Sequence, residues 1–232
     1  MRILFLTFII FKLSNTFSHC QTIINSVNES TGKCPEQIKD IDGNIYKTIK
    51  IGAQCWMQSN LKVTKYRDKT VIPKISDANS WSKLNTGARC SYENVLSNSY
   101  IYGNLYNWFA VTDIRKICPV GWRVPNDSDW VILTNYLGGV NAGGKIKASG
   151  LKYWNDPNKG ATNSSGFTAL PSGRRNYDGS YSNIKYHSFF WTSNVGVINT
   201  TAWNRNFYHD LSDVGRVDSD MNYGFSVRCI KE

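Results

Sequence analysis

The alternation of hydrophobic and polar residues predicts a strand and two turns at the start of the folded part. Tyr46, Ile49 and Ile51 are separated by polar residues in rough alternation, which is typical of a strand with one buried face. Turn signals lie on both sides of this strand, at Asp42-Gly43-Asn44 and at Gly52. We therefore predict that a hairpin opens a domain beginning near residue 40.

A first helix is predicted by apolar residues spaced three and four positions apart. Asn104 is a suitable capping residue, and Leu105, Trp108 and Phe109 fall on one face of the helix that would follow it. This apolar stripe ends near Ile114. The pattern thus predicts a helix of about three turns.

A second helix is predicted after Pro125. The segment Pro125-Asn126-Asp127-Ser128-Asp129 offers a capping asparagine and two early acidic residues, which favour the positive end of a helix. Trp130, Leu133 and Leu137 then fall on one face, and Gly138-Gly139 ends the element.

Beyond Gly138 the chain becomes rich in glycine and asparagine, with short aromatic runs between loops. Four of these runs predict strands: residues 166–170, 189–192, 202–203 and 224–229. Together with the helices, they predict an α+β domain over residues 40–232, with two helices, small antiparallel sheets and long loops.

The N-terminus has the layout of a signal peptide. Arg2 precedes nine residues, 3–11, of which only Thr7 is polar, and Lys12 follows. Nine residues are too few for a bilayer, which needs about 20, so no transmembrane anchor is predicted. We expect residues 1–20 to direct export and residues 21–39 to form an N-terminal arm or linker. Cleavage after Cys20 is expected, and lipidation of Cys20 is the alternative.

Composition supports a globular protein. Hydrophobic residues make up 41% of the chain and charged residues 19%, which excludes a disordered chain. The 27 lysines and arginines against 17 acidic residues leave a net charge of +10, which favours anionic partners. Basic residues are scattered, and exported proteins seldom meet nucleic acid, so nucleic acid is not a predicted partner.

The cysteine spacing predicts disulfides and no CxxC zinc or redox motif. No two cysteines stand in a CxxC motif, and in an oxidising compartment such cysteines form a disulfide framework. The cysteines beyond residue 20 are Cys34, Cys55, Cys90, Cys118 and Cys229. Because their number is odd, one thiol stays free or pairs with a retained Cys20.

Six ordered strings lie between about residue 40 and the end: YKTIKIG (46–52), QCWM with NL (54–57, 60–61), LYNWFA (105–110), CPVGWRVP (118–125), GF with LPSG (166–167, 170–173) and GFSVRC (224–229). Together they resemble the Fibrobacter major paralogous domain family. Its members are typically exported or displayed on bacterial surfaces, and no biochemical activity is established for them, so the resemblance implies secretion or a bacterial cell-surface location.

The order of the two helices and the closing GFSVRC string resembles the C-type-lectin-like fold, which formylglycine-generating enzymes also use. This resemblance implies a disulfide between Cys118, near the end of the first helix, and Cys229 in the last strand. The pairing of the others stays open. Our working assignment joins Cys55 to Cys90 and leaves Cys34 free or bonded to Cys20. The copper-dependent activity of those enzymes is not carried over, because the chain lacks their closely spaced cysteine pair.

No catalytic residues are predicted. His187 and His209 are the histidines beyond the signal peptide, and neither lies near a nucleophile motif. We therefore expect a protein that is not an enzyme. The alternative is a hydrolase that uses a carboxylate pair drawn from Asp178, Asp210 and Asp218.

One acidic cluster offers oxygen ligands for Ca²⁺, the one cofactor considered. A solvated loop whose charges balance Arg205 and Arg216 is the alternative reading of the same residues. The cluster comprises Asp210, Asp213, Asp218 and Asp220.

Aromatic rings beside amide and guanidinium groups predict a ligand-binding surface, since rings stack on sugar faces and guanidinium groups bond hydroxyls or carboxylates. The predicted partner is a glycan or a surface protein. Burial of the same rings in the core, in a structural module of a surface assembly, is the alternative. The predicted ligand-binding residues are Arg174, Arg175, Tyr177, Tyr186, Trp203 and Arg205.

Overall fold

The computed structural model describes residues 33–232. The expected signal peptide, Cys20 and most of the expected arm lie outside the described residues. Within residues 33–232, no helix has the length and apolarity needed to cross a membrane.

The described part contains short strands, short helices and long connections. The strands are β1 (Gln37–Lys39), β2 (Ile45–Ile51), β3 (Gln54–Met57), β4 (Arg89–Cys90), β5 (Leu105–Tyr106), β6 (Trp122–Arg123), β7 (Ser172–Arg175), β8 (Tyr181–Ile184), β9 (His187–Val195), β10 (Thr201–Tyr208), β11 (Gly215–Asp220) and β12 (Ile230–Lys231). The helices are α1 (Ala78–Ser82), α2 (Leu96–Tyr102), α3 (Trp108–Val111), α4 (Asp127–Tyr136) and α5 (Gly143–Ile146).

The strands form three sheets. The first has the order β1-β2-β3-β12-β6, so the last strand of the chain lies between β3 and β6. The second has the order β11-β10-β9-β7-β8, and β4 pairs with β5 in the third. All these pairs are antiparallel except β7 with β9. The predicted mixture of helices and sheets is confirmed.

The predicted hairpin is present. β2 pairs with β1 and β3; Tyr46 and Thr48 are buried on one face of the strand, whereas Ile51 is buried on the other. The turn before it is closed by Asp40, whose carboxylate accepts hydrogen bonds from the backbone N–H groups of Asp42 and Asn44.

The first helix begins later and is shorter than predicted. Leu105 and Tyr106 form β5, and α3 is a single turn capped by Asn107, whose side chain accepts a hydrogen bond from the Ala110 N–H. Asn104 does not cap it, because its amide donates to the Lys62 carbonyl 2.8 Å away. Pairing of Leu105 with Cys90 across the third sheet therefore overrides the local helical pattern.

The second helix is confirmed with its cap. Asn126 and Asp129 form a capping box, in which each side chain accepts from the other residue's backbone N–H. Trp130 and Leu133 are buried, and Gly138 ends the element with φ +108°, a conformation that favours glycine.

Two of the four predicted aromatic strands are regular. Residues 189–192 lie in β9 and residues 202–203 in β10. Residues 224–229 instead form isolated bridges to three separate segments before β12 begins. Residues 166–170 form no strand, and Thr168 has φ +59°, outside strand geometry. Both segments run between other elements of the fold, so neither lies beside a single strand along its whole length.

The main core lies between the second sheet and α4. Trp130 packs against Trp56, Phe167, Phe190 and Phe207, with ring centroids 5.1 to 6.3 Å apart. All five rings are fully buried. The aromatic residues that the loops carry are therefore chiefly core residues here.

The disulfide implied by the C-type-lectin-like resemblance is confirmed. Cys118 is bonded to Cys229, with 6.0 Å between their Cα atoms. Cys34 and Cys55 are also disulfide-bonded, so Cys34 is not free. The assignment of Cys55 to Cys90 is wrong, because Cys90 is a free thiol buried in a second hydrophobic cluster with Trp81 and Leu105.

Buried basic side chains hold the long connections in place by donating hydrogen bonds to their carbonyl groups. The guanidinium of Arg228 donates to Asn60 Oδ1 and to the carbonyls of Met57, Phe167 and Thr168. Burial lowers the pKa of Arg228 to about 9, so the side chain remains charged at neutral pH. Lys147 is also fully buried and donates to three carbonyls, those of Lys159, Tyr208 and Leu211.

Candidate functional site

Arg174 lies at the centre of an aromatic surface on the second sheet. Its guanidinium carbon is 5.0 Å from the Phe189 ring centroid and 5.1 Å from that of Tyr223. Tyr177, in the β7–β8 turn, contacts the Tyr223 ring edge-to-face at 5.5 Å. Arg174 Nε donates to Ser182 Oγ, and within residues 33–232 no carboxylate forms an ion pair with Arg174. The guanidinium is therefore positioned by rings and a hydroxyl.

The same surface continues through two histidines. His187 lies 6.0 Å from Phe189 and 4.2 Å from Tyr208, between ring centroids. His209 lies 6.3 Å from His187 and 5.1 Å from Tyr186. We call this continuous set the polar-aromatic strip, and it comprises Arg174, Tyr177, Tyr186, His187, Phe189, Tyr208, His209 and Tyr223.

Strand alternation explains why the strip faces away from the main core. In β9, Phe190 packs against Trp130, whereas Phe189, the preceding residue, stacks on Phe225 and contacts Arg174. Successive strand side chains point to opposite faces. Tyr177 and Tyr186, in turns at the edge, are 56% and 47% exposed. The strip therefore has solvent-exposed rings at both ends.

Trp203 and Arg205 lie on the other face of the second sheet. Arg205 pairs with Asp127 at the start of α4, at 2.6 Å, and is almost fully buried. Arg216 bonds the same carboxylate and covers the Trp203 ring at 3.4 Å. The predicted ligand-binding set is thus split between two faces, and Arg205 serves to attach α4 to the sheet.

Arg175 is wrongly placed in the predicted ligand-binding set. It is fully buried, and its guanidinium donates to the carbonyls of Gly179, Ile75, Ser76 and Asp77. Trp81 and Tyr181 flank it. All the donor groups face protein acceptors, so Arg175 holds the 75–77 loop and presents nothing to a ligand.

The four aspartates do not converge. Asp218 and Asp220 lie in β11, whereas Asp210 and Asp213 lie in the loop at the opposite end of the β10–β11 pair. Asp218 accepts from Thr201 Oγ1, and Asp220 caps the next turn at Asn222 N–H. No group of three or more His, Cys, Asp or Glu in residues 33–232 is placed to hold a metal ion. The four aspartates are therefore not gathered into one site within residues 33–232, and Arg205 and Arg216 pair with Asp127.

Geometry also separates the carboxylates considered for hydrolysis. In the β10–β11 register Asp218 lies opposite Trp203. Asp210 comes after Tyr208, which is five residues further along β10 than Trp203. At about 3.4 Å per residue this is roughly 17 Å, more than the roughly 5 to 9.5 Å of a glycosidase carboxylate pair. Asp178 lies in the β7–β8 turn, where Ser180 donates to it and lowers its pKa. Asp210 and Asp218 are thus not an acid and base pair.

Several strip residues were not predicted as ligand-binding. Tyr223 and Phe189 join Arg174 to the rest, and both histidines contribute rings. Alternation in residues 187–189 was the available signal, because it places His187 and Phe189 on one face. The contact with Tyr223, 49 residues after Arg174, depends on the tertiary fold.

Residues 49–231 match the Fibrobacter succinogenes major domain family. Because this match covers more than half of the chain, the chain belongs to that family. Neither the curated proteins nor the solved structures contained a match to the chain.

Acidification is expected to lower the melting temperature through His187. Burial lowers the pKa of His187 from 6.5, His209 and Arg174 lower it further, and Asp210 acts in the opposite direction. Because His187 binds a proton more readily in the unfolded chain, its neutral form favours folding. This contribution to stability is present above about pH 6.5 and is lost as the pH falls through the lower pKa of His187 in the folded state.

Melting curves between pH 8 and pH 5 measure this effect. His187→Gln should reduce the pH dependence of the melting temperature, since glutamine does not titrate. An equally steep pH dependence in the variant would show that other groups are responsible.

Proposed function

We propose that this protein is an exported or cell-surface binding module, without catalytic activity, that recognises a glycan or a surface protein through the polar-aromatic strip. The observation that carries the proposal is the continuous strip itself, with a guanidinium among rings and exposed tyrosines at both ends. Disulfides, which form in oxidising compartments, support the extracytoplasmic location.

The chemistry of the strip suits a sugar chain. Exposed rings of Tyr177 and Tyr186 offer apolar faces for stacking on pyranose rings, and their hydroxyls remain available as donors. Between them, Arg174 offers guanidinium donors to hydroxyl or carboxylate oxygens. The spacing of the rings along the sheet suits an extended ligand more than a small one.

A C-type-lectin-like architecture is part of the same proposal. Two features support it: the disulfide from the segment after α3 to the end of the chain, and β12 lying between β3 and β6. β12 places the C-terminal end of the domain beside β3, near its start, and the disulfide joins the same end to the segment after α3.

Tyr177→Ala is expected to weaken binding to the recognised polysaccharide about tenfold, because one stacking ring is lost. Arg174→Ala should weaken it at least as much, because charge-assisted hydrogen bonds are lost. Binding is measured on a panel of neutral and acidic polysaccharides at physiological salt, where weak attraction to charge alone is screened.

Tyr136→Ala is the matched control, since Tyr136 is 66% exposed on α4, away from the strip. Equal losses for Tyr177→Ala and Tyr136→Ala would exclude the strip as the binding surface. If no polysaccharide binds and surface proteins do, the partner is a protein and the same variants test the interface.

Assembly with other surface proteins is the second candidate function, and a specific surface favours it. Val95, Leu96, Tyr100 and Ile101, on and beside α2, are 46 to 66% exposed. Neighbouring exposed apolar residues of this kind mark interaction sites on soluble proteins. A structural module would associate through this surface and would be unaffected by Tyr177→Ala.

A further inference from the structure

A basic cleft lies beside α2 and shares no residue with the polar-aromatic strip. It has a volume of about 320 Å³ and is lined by the β1–β2 turn, the segment after β3, the start of β4 and α2. This volume is at the lower end of the range for ligand-binding pockets. Three cations, Lys62, Lys74 and Arg89, line it with one carboxylate, Asp42.

The cleft has an excess of positive charge. Asp42 accepts hydrogen bonds from the N–H and hydroxyl of Thr64, and it forms an ion pair with Lys65 at 3.1 Å. None of the three cations forms an ion pair within residues 33–232. Asp42 is thus already engaged, and the cations lack an acidic counterpart.

Two of these cations are held side by side by the backbone. Lys74 and Arg89 face each other in a parallel bridge, with the Arg89 N–H donating to the Pro73 carbonyl and the Ile75 N–H to the Arg89 carbonyl. Like charges at opposed strand positions destabilise a sheet. An anion bound between Lys74 and Arg89 would replace this destabilising repulsion with attraction.

Unpartnered polar atoms are buried in the same wall. Ser91 is only 3% exposed and its hydroxyl has no hydrogen-bond partner among the described residues. Arg89 Nε is likewise buried and without a partner there. Buried polar groups are nearly always hydrogen-bonded, so each such group needs an explanation. A hydroxyl and a guanidinium N–H are both donors that suit the acceptor oxygens of an oxyanion.

The rim adds a surface for the rest of a ligand. Tyr100, on α2, lines the cleft and is 66% exposed, and Lys62 Nζ donates to its carbonyl at 2.8 Å. A ring beside a cationic floor suits a molecule with one flat apolar face and one anionic group.

We propose that this cleft binds a carboxylate-bearing ligand of monosaccharide size, such as a hexuronate, through Arg89, Lys74, Lys62 and Ser91. Arg89 engages the carboxylate through its planar fork, Ser91 donates its hydroxyl, and the two lysines neutralise the charge. Tyr100 covers the sugar face. The proposal is independent of the polar-aromatic strip, because no residue is shared.

Isothermal titration of the protein with glucuronate at physiological salt tests the proposal, with glucose as the uncharged analogue and inorganic sulfate as a second anion. We expect saturable binding of glucuronate and none of glucose. Absence of saturable glucuronate binding below about 10 mM would overturn the proposal. Binding of sulfate alone, or of glucose as tightly as glucuronate, would overturn the carboxylate assignment.

Variants separate the cleft from general charge attraction. Lys74→Gln and Arg89→Gln should each weaken glucuronate binding tenfold or more, and Arg89→Lys should recover only part of the loss. Lys50→Gln, an exposed lysine outside the cleft, is the charge-matched control. An equal effect of Lys50→Gln would show attraction to net charge only.

Stability gives a second readout for the exposed Lys74. Because Lys74→Gln removes one of two opposed like charges, it should raise the melting temperature of the ligand-free protein while it lowers affinity. A purely structural role predicts that the melting temperature falls. If Arg89→Gln does not fold, Lys74→Gln alone decides between these outcomes.

Discussion

Replacing Cys118 and Cys229 together by alanine is expected to lower the free energy of unfolding by about 4 to 5 kcal/mol, the value for releasing a loop of about 100 residues in the chain-entropy treatment. The bond joins residues 111 positions apart. Both cysteines are almost fully buried, so the disulfide also fixes packing beside β12. Urea denaturation of the oxidised protein and of the double variant measures the difference.

Cys90→Ala is the matched control for the disulfide. Cys90 is a buried free thiol, so its replacement alters packing without releasing a loop. We expect a clearly smaller loss than for the double variant. Similar losses would mean that buried sulfur packing, rather than the cross-link, carries the stabilisation.

Arg228→Met is expected to lower the free energy of unfolding by about 3 to 5 kcal/mol, because it leaves several buried acceptors without a donor, at about 1 to 3 kcal/mol each with partial relaxation. Methionine fills part of the volume but donates no hydrogen bond. The carbonyls of Met57, Phe167 and Thr168 and the side chain of Asn60 would each lose a donor. Urea denaturation again measures the loss.

Arg228→Lys and Lys50→Met are the comparisons for this prediction. The lysine variant keeps a charge but loses the planar fork, so an intermediate loss is expected. Lys50 is exposed, and its replacement should change stability little. A neutral Arg228→Met would show that apolar packing can replace the buried guanidinium, as happens for some buried ion pairs.

Local patterns predicted the elements whose determinants are close together in the chain. The β1–β2 turn, the alternation in β2 and the capping box of α4 all depend on residues within seven positions of each other. The family was also readable from the six strings, and residues 49–231 match that family. The Cys118–Cys229 bond came from resemblance, because spacing alone allows several pairings.

Local patterns failed where a distant partner decides the outcome. Leu105 has helical spacing to Trp108, but pairing with Cys90 makes it a strand residue. Arg174 and Arg175 are neighbours with the same chemistry, yet one lies in the strip and the other is enclosed by the carbonyls of Ile75, Ser76 and Asp77. No local signal separates the two arginines, because strand register and the path of the 75–77 loop decide which faces inward.

A basic, aromatic-rich α+β domain with turns and helix caps in defined places follows from composition and from contacts between near neighbours. The strip, by contrast, gathers Arg174, Tyr177 and Tyr186 while Trp203 and Arg205 lie on the opposite face of the sheet, which no local pattern indicates. Lys74 and Arg89, 15 residues apart, likewise meet in one cleft only in the folded domain. Sheet register and buried hydrogen bonds join segments far apart in the chain, and the sequence near each segment does not record which segments meet.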